Sequence, residues 1–161
     1  MAETQVTVRK AQMADKAAIE SITRAAYAAY VPRMDRQPFP MLDDYGVHIV
    51  SGAAFVLEDA GAILGYIILL PADDGALLLD NVAVAPTVQK CGYGKKLLEF
   101  AETVARGRGL GRIILYTNAA MRENLTWYPK MGYSVIGHVT EHGYKRVYFE
   151  KKLDAEIGGA L

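Results

Sequence analysis

Residues Ala76 to Val84 form a nearly unbroken apolar run, followed closely by the stretch VQKCGYGKK at 88–96 and then by a helical pattern. An apolar run without polar alternation is what a strand covered on both faces requires. Behind the loop, Leu97, Leu98, Ala101, Val104 and Ala105 recur at helical spacing, which predicts a helix of about 13 residues stopped by the glycines at 107, 109 and 111. A buried strand that passes through a glycine loop into an amphipathic helix commits the chain to layers of sheet and helix.

The rest of the chain extends that layering. Gln5 to Arg9 alternates as an opening strand, and Asp15 is placed to cap a helix with apolar positions Ala18, Ile19, Ile22, Ala25 and Ala26, ending near Tyr30. Three prolines between Val31 and Pro40 predict an ordered loop, and Met41 to Val50 a second, weaker helix. Ala54–Glu58 and Ala62–Leu70 read as a hairpin about the turn DAG at 59–61. Arg112 to Thr117 reads as a strand and Ala119 to Lys130 as a helix. Two strands follow, Tyr133–Val139 and Lys145–Lys151, joined at His142-Gly143. Hairpins early and helix-linked strands late predict a mixed sheet of α+β or α/β type.

A strand–loop–helix junction leaves the first backbone N–H groups of the helix without partners and turns the positive end of its dipole outward. Gly92 and Gly94 remove the Cβ atoms that would keep an anion off the backbone, while Gln89, Lys90 and Lys95 add donors. The stretch therefore suits a phosphate cradle, with a plain tight turn as the alternative. A Walker loop is excluded because Gly94-Lys95 is followed by Lys96. A dinucleotide fingerprint is excluded because its third glycine would fall at Leu97.

Composition narrows the classes. The 161 residues suit one domain spanning 1–161, and 52% hydrophobic with 22% charged residues is the balance of a compact protein. Lys plus Arg and Asp plus Glu number 18 each, so no overall field draws the chain to nucleic acid or to an anionic membrane, and neither is expected as a partner. The longest uncharged apolar stretch, Ala60 to Ala72, is short of the roughly 18 residues of a membrane span, and the N-terminus lacks the apolar core of a secretory signal. A single cysteine, Cys91, rules out an internal disulfide and a multi-cysteine metal site; no metal and a reducing cytoplasmic location are expected.

Gln89-Lys90-Cys91-Gly92-Tyr93-Gly94 after Val82-Ala83-Val84-Ala85-Pro86 resembles the acetyl-CoA pyrophosphate motif, Gln/Arg-x-x-Gly-x-Gly/Ala, of the GNAT superfamily of N-acetyltransferases. Tyr116-Thr117-Asn118, followed by Asn124-Leu125-Thr126-Trp127-Tyr128-Pro129-Lys130-Met131-Gly132-Tyr133, is similar to the later strand, helix and Tyr-x-x-x-Gly-Phe/Tyr segment of that family. The resemblance covers about Leu77 to Val135. It implies a mixed, mostly antiparallel central sheet flanked by helices and splayed between the strand at 76–84 and the strand at 112–117.

It also implies roles. Val82, Ala83 and Val84 would pair with the pantetheine arm, and Gln89, Lys90, Cys91, Gly92, Tyr93, Gly94 and Lys95 would surround the pyrophosphate. Asn118 and Asn124 would line the cofactor channel. Tyr128 would donate a proton to the departing CoA thiolate, the alternative being a core tyrosine that fixes the helix. Relatives more often carry an asparagine seven residues before the tyrosine, where this chain has Met121, so Asn124 departs from the pattern. An alkylammonium of pKa about 10.4 must lose a proton before it attacks, which costs roughly 4.6 kcal/mol at pH 7. Asp80 and Leu78 lie in the phase from which relatives project basic residues toward the acceptor, and of the two only Asp80 could act as the base; a structural carboxylate is its other reading, and Asn81 should point the opposite way.

The implied activity is transfer of acetyl from acetyl-CoA to a primary amine of a small molecule, by direct attack in a ternary complex. Cys91 offers an acetyl-cysteine route, but its loop belongs to the wrong end of the pantetheine arm. A CoA-binding regulatory module without turnover and a protein N-terminal or lysine acetyltransferase are the alternatives. The implied acceptor side takes in Tyr27, Tyr30, Arg33, Met34, Asp43 and Tyr45, with His142, Tyr144 and Arg146. Arg33 and Arg146 could receive a carboxylate, or could be solvated loop arginines. The assembly is left open between a monomer and a homodimer.

Overall fold

The computed structural model describes residues 6–153, so Gln5 and the N-terminal residues before it lie outside the described part. The elements run β1 (Val6–Lys10), α1 (Lys16–Tyr27), α2 (Tyr45–Val50), β2 (Ala54–Asp59), β3 (Ala62–Pro71), β4 (Ala76–Val84), α3 (Tyr93–Gly107), β5 (Arg112–Asn118), α4 (Arg122–Lys130), β6 (Ser134–Glu141) and β7 (Tyr144–Lys152). Short 3-10 turns are added at Met13–Asp15, Ala28–Arg33, Phe39–Met41 and Pro86–Val88. The order of strands and helices is the one the sequence pattern predicts. The strands order as β1-β2-β3-β4-β5-β7-β6 in a mixed, mostly antiparallel α+β sheet. β1–β2, β2–β3, β5–β7 and β6–β7 run antiparallel and β4–β5 runs parallel.

Two compact units share β4 and α3: residues 6–69 with 81–98, and residues 70–80 with 99–153. In the first unit, α1 buries Ile19, Ile22, Thr23 and Tyr27, while Ala25 is exposed. Asp15 does not cap α1 with its side chain. Its carboxylate instead accepts from the Gln12 amide (2.8 Å) and from Arg9 (2.8 and 3.1 Å), and Arg9 also binds Glu58 (3.0 Å), so one guanidinium ties β1, β2 and the entry to α1. The Arg9 hydrogen bond holds the Asp15 carboxyl below the usual range.

The second helix is shorter than the apolar pattern predicts. Asp44 accepts from the Gly46 amide and starts α2 at Tyr45; Met41 lies in a 3-10 turn, and Leu42 and Val50 are exposed. Of its apolar residues, Tyr45 and Ile49 are the buried ones. The β2–β3 turn closes on Ala60 and Gly61, both at positive φ, between Asp59 and its partner Ala62. That is the two-residue hairpin geometry that matches strand twist.

In the second unit, α3 ends in a Schellman closure: the Leu110 amide donates to Ala105 and the Gly109 amide to Arg106, with Gly109 at φ +72°. β6 and β7 meet at His142 and Gly143, both at positive φ, as predicted. The β4–β5 ladder runs from Ala76↔Arg112 to Leu79↔Leu115, short of the ends of both strands. β4 is correspondingly buried on both faces only at its start and then alternates, with Asn81 and Ala83 buried and Val82 and Val84 half-buried.

Candidate active site

In the first unit, β4 leaves through Pro86–Val88, and the Gln89 side chain folds back to donate to the Val84 carbonyl (3.3 Å). Lys90 and Gly92 hold φ of +71° and +83°. A Cβ built at Gly92 meets nothing within 4 Å, so glycine is required there by backbone conformation rather than by crowding. The first bond of α3 runs from the Lys96 amide to the Gly92 carbonyl (3.1 Å). The amides of Tyr93, Gly94 and Lys95 therefore have no intrahelical acceptor, and exposed Lys90, Cys91 and Lys95 ring the same turn. Three amides, a helix dipole and two ammonium groups over open space fit a diphosphate.

Upstream, β3 lies close against this end of β4. A side chain at Gly65 would come within 2.9 Å of the Ala83 carbonyl, and the Ala85 amide donates to Leu64 (2.8 Å). Asn81 anchors a buried polar cluster. It accepts from Tyr27 Oη (2.5 Å) and donates to Tyr66 Oη (2.7 Å) and Tyr45 Oη (3.0 Å), and Tyr66 Oη also meets Thr23 Oγ1 (2.6 Å). Burial pushes the Tyr66 phenol well up and the Tyr45 phenol up. Tyr27, expected to touch the acceptor, is thus a core residue; Tyr30 packs on its ring (6.1 Å), and exposed Arg33 lies 5.1 Å over Tyr30.

In the second unit, half-buried Asp80 accepts from Tyr116 Oη (3.0 Å). Burial, and then the Asp80 charge, push the Tyr116 phenol up. Arg146 is buried, its guanidinium 4.4 Å over the Tyr116 ring and 5.5 Å from that of Tyr144, and it donates to Glu141 (3.1 Å). Tyr148 donates to the same carboxylate (2.5 Å), and these bonds, Tyr148's first, hold the Glu141 carboxyl below its usual range. Burial, then Glu141, push Tyr148 to about 12.

Tyr128 is 5% exposed, its ring set among Trp127 (5.0 Å), Phe149 (5.6 Å) and Tyr133 (5.8 Å). Asn124 donates to Thr117 Oγ1 (3.0 Å) and lies 3.7 Å from Met121 Sδ, so the methionine that replaces the expected asparagine packs beside the asparagine one turn later. Asn118 accepts the Ala120 amide (2.8 Å), a turn that delays α4 to Arg122. Tyr133 Oη is buried without a hydrogen-bond partner.

The structure thus groups Asp80 with Tyr116 and Arg146, Tyr27 with Tyr30 and Arg33, and Asn124 with Thr117. Sequence reasoning missed the Tyr45–Tyr66–Asn81 cluster, Glu141, and a His48–Asp43 pair in which Nε2 lies 2.8 Å from the carboxylate. Only the five-residue spacing of Asp43 and His48 hints at that pair, and it gains meaning once α2 is seen to begin at Tyr45.

The family model "Acetyltransferase (GNAT) family" matches residues 17–133. The chain belongs to that family, the acetyl-CoA-dependent GNAT acetyltransferases. PaiA N-acetyltransferase from Thermoplasma acidophilum, solved with coenzyme A, shares its fold at TM-score 0.77 and 18% identity over 92% of this chain and 99% of that one. A ribosomal-protein alanine N-acetyltransferase from Escherichia coli aligns at TM-score 0.73 and 17% identity, over 94% and 96%. N-acetylglutamate synthase from Neisseria gonorrhoeae, with coenzyme A and N-acetyl-glutamate, aligns at 0.74 and 21%, over 96% of this chain and 36% of that one. No curated protein sequence matches. No helix of the described residues is long and apolar enough to cross a membrane.

Proposed function

We propose that the protein transfers the acetyl group of acetyl-CoA to a primary amine of a small molecule, by direct attack in a ternary complex. The observation that carries this reading is the head of α3, where three amides without intrahelical acceptors stand beside Gly92, Lys90 and Lys95. In this reading residues 89–95 hold the diphosphate, Val82, Ala83 and Val84 pair with the pantetheine arm, and Asn118 and Asn124 steady the cofactor. Bound acetyl-CoA supplies the activated thioester. Tyr128 hands its phenolic proton to the thiolate as the C–S bond breaks.

Asp80 is the carboxylate that pairs with the incoming ammonium. Arg146 donates to Glu141, and a carboxylate at Asp80 favours a cationic over an anionic acceptor. Tyr30 and Arg33 would form the outer wall of the acceptor site with Tyr27 behind them. The exposed single thiol, Cys91, suits a reducing cytoplasm. A protein acceptor is the second reading, favoured by exposed apolar Leu42, Val47 and Val50 around α2.

The test is thiol release from acetyl-CoA against a panel of small alkylamines, amino acids and peptides with free N-termini or lysines. Turnover on the alkylamines supports the reading, and turnover on peptides alone replaces it with the second. Coenzyme A binding without release on any acceptor identifies a regulatory module.

A further inference from the structure

Resting on that reading, we propose that His48, held by Asp43, is the base that takes the proton from the acceptor's ammonium before attack. His48 is mostly buried, its side chain 13% exposed, and its Nε2 lies 2.8 Å from Asp43 Oδ2. The carboxylate at Nε2 fixes the tautomer: the proton sits on Nε2 and is donated to Asp43, which leaves the Nδ1 lone pair as acceptor. Asp43 is itself held, because its Oδ1 accepts the Asp44 amide (2.8 Å). A carboxylate that orients an imidazole and steadies its protonated form is the arrangement general-base catalysis uses.

Position supports the role. The His48 ring meets Tyr45 edge-on (6.2 Å), and Tyr45 Oη accepts from Asn81 Nδ2 (3.0 Å). His48 is thereby tied to residue 81 of β4, whereas the cradle lies beyond the other end of that segment. From residue 81 to 84 the strand advances about 10 Å, at roughly 3.3 Å per residue. A ligand with its phosphates at 89–95 and its arm along 84 to 82 presents its reactive end toward residue 81, the His48 end. Tyr45 and Ile49 supply the buried apolar face of α2.

The proton balance is simple. The ammonium gives one proton to Nδ1, forming imidazolium and a neutral amine; nitrogen attacks the thioester carbon, the C–S bond breaks, and the thiolate leaves. As Tyr128 gives its proton to sulfur, the second proton of the nitrogen passes to the tyrosine oxygen and restores the phenol, and imidazolium returns its proton to solvent. Asp80 keeps its role as counter-charge. An imidazole is ordinarily about 2 units more basic than a carboxylate, so it is the better partner for an amine of pKa about 10.4.

The test compares parent, His48→Gln and Asp43→Asn on an alkylamine and on an alkoxyamine, which is already neutral at neutral pH, with coenzyme A binding measured by calorimetry. The expected result is a loss in kcat/KM of about 10²-fold or more for His48→Gln on the alkylamine and only a few-fold on the alkoxyamine, with unchanged coenzyme A binding. Asp43→Asn should show the same selectivity at smaller size. Equal losses on both acceptors, or no loss on either, overturn the base role. Absent coenzyme A binding by the parent instead overturns the reading on which it rests.

Discussion

Asp80 and Asn81 are neighbours on β4 with opposite surroundings. Asn81 is 7% exposed, and its amide is engaged by three tyrosine hydroxyls. Asp80 is half-buried and accepts from Tyr116 in a cluster whose other carboxylate, Glu141, is matched by Arg146. The strand's period of two thus sends one polar residue into a satisfied core and turns the next to a half-buried place beside Tyr116. Buried polar groups with every partner present specify a fold, whereas a half-buried ionisable group on a rigid strand is suited to chemistry.

Substitutions separate the two. Asn81→Ala should cost about 3–5 kcal/mol, because it strands buried tyrosine hydroxyls, read as a lower urea midpoint with activity following the folded fraction. Asp80→Asn should leave that midpoint nearly unchanged and lower kcat/KM on alkylamines by about 10²-fold; a stability loss as large as that of Asn81→Ala would make Asp80 a structural carboxylate. Tyr128→Phe should cut kcat about tenfold to a hundredfold without weakening coenzyme A binding, and an unaltered kcat would make it a core tyrosine that fixes the helix.

Asp15→Asn tests a carboxylate whose role is purely structural, with an expected cost of about 2 kcal/mol at neutral pH. Its folded pKa lies below the unfolded value near 3.9, so the stabilisation is present above about pH 4 and fades as pH falls through the lower folded value. Urea midpoints of parent and variant should therefore converge in acid. Gly92→Ala, forced to a positive φ with open space around it, should cost only about 1 kcal/mol of stability while weakening coenzyme A binding.

Much of this was readable from residue order. The strand–loop–helix of 76–107, the hairpin turns at 60–61 and 142–143, and the order of elements follow from apolar period and turn chemistry, which are local. What escaped was set by tertiary partners. Asp15 looked like a cap until Arg9, six residues back, claimed its carboxylate. Tyr27 looked like an acceptor contact until Asn81, far along the chain, took its hydroxyl. Met41 to Val50 read as one helix because Leu42 and Val50 are apolar, yet both face outward. The His48–Asp43 pair left no periodic mark, since two polar residues five apart in a loop and a single helical turn fit no template.

Isothermal titration of coenzyme A into the full chain, in low and moderate salt, tests most directly whether the amides at the head of α3 grip a diphosphate. The account requires saturable heat at one site per chain, weaker in higher salt and weaker again in Gly92→Ala. No heat at millimolar coenzyme A would contradict it.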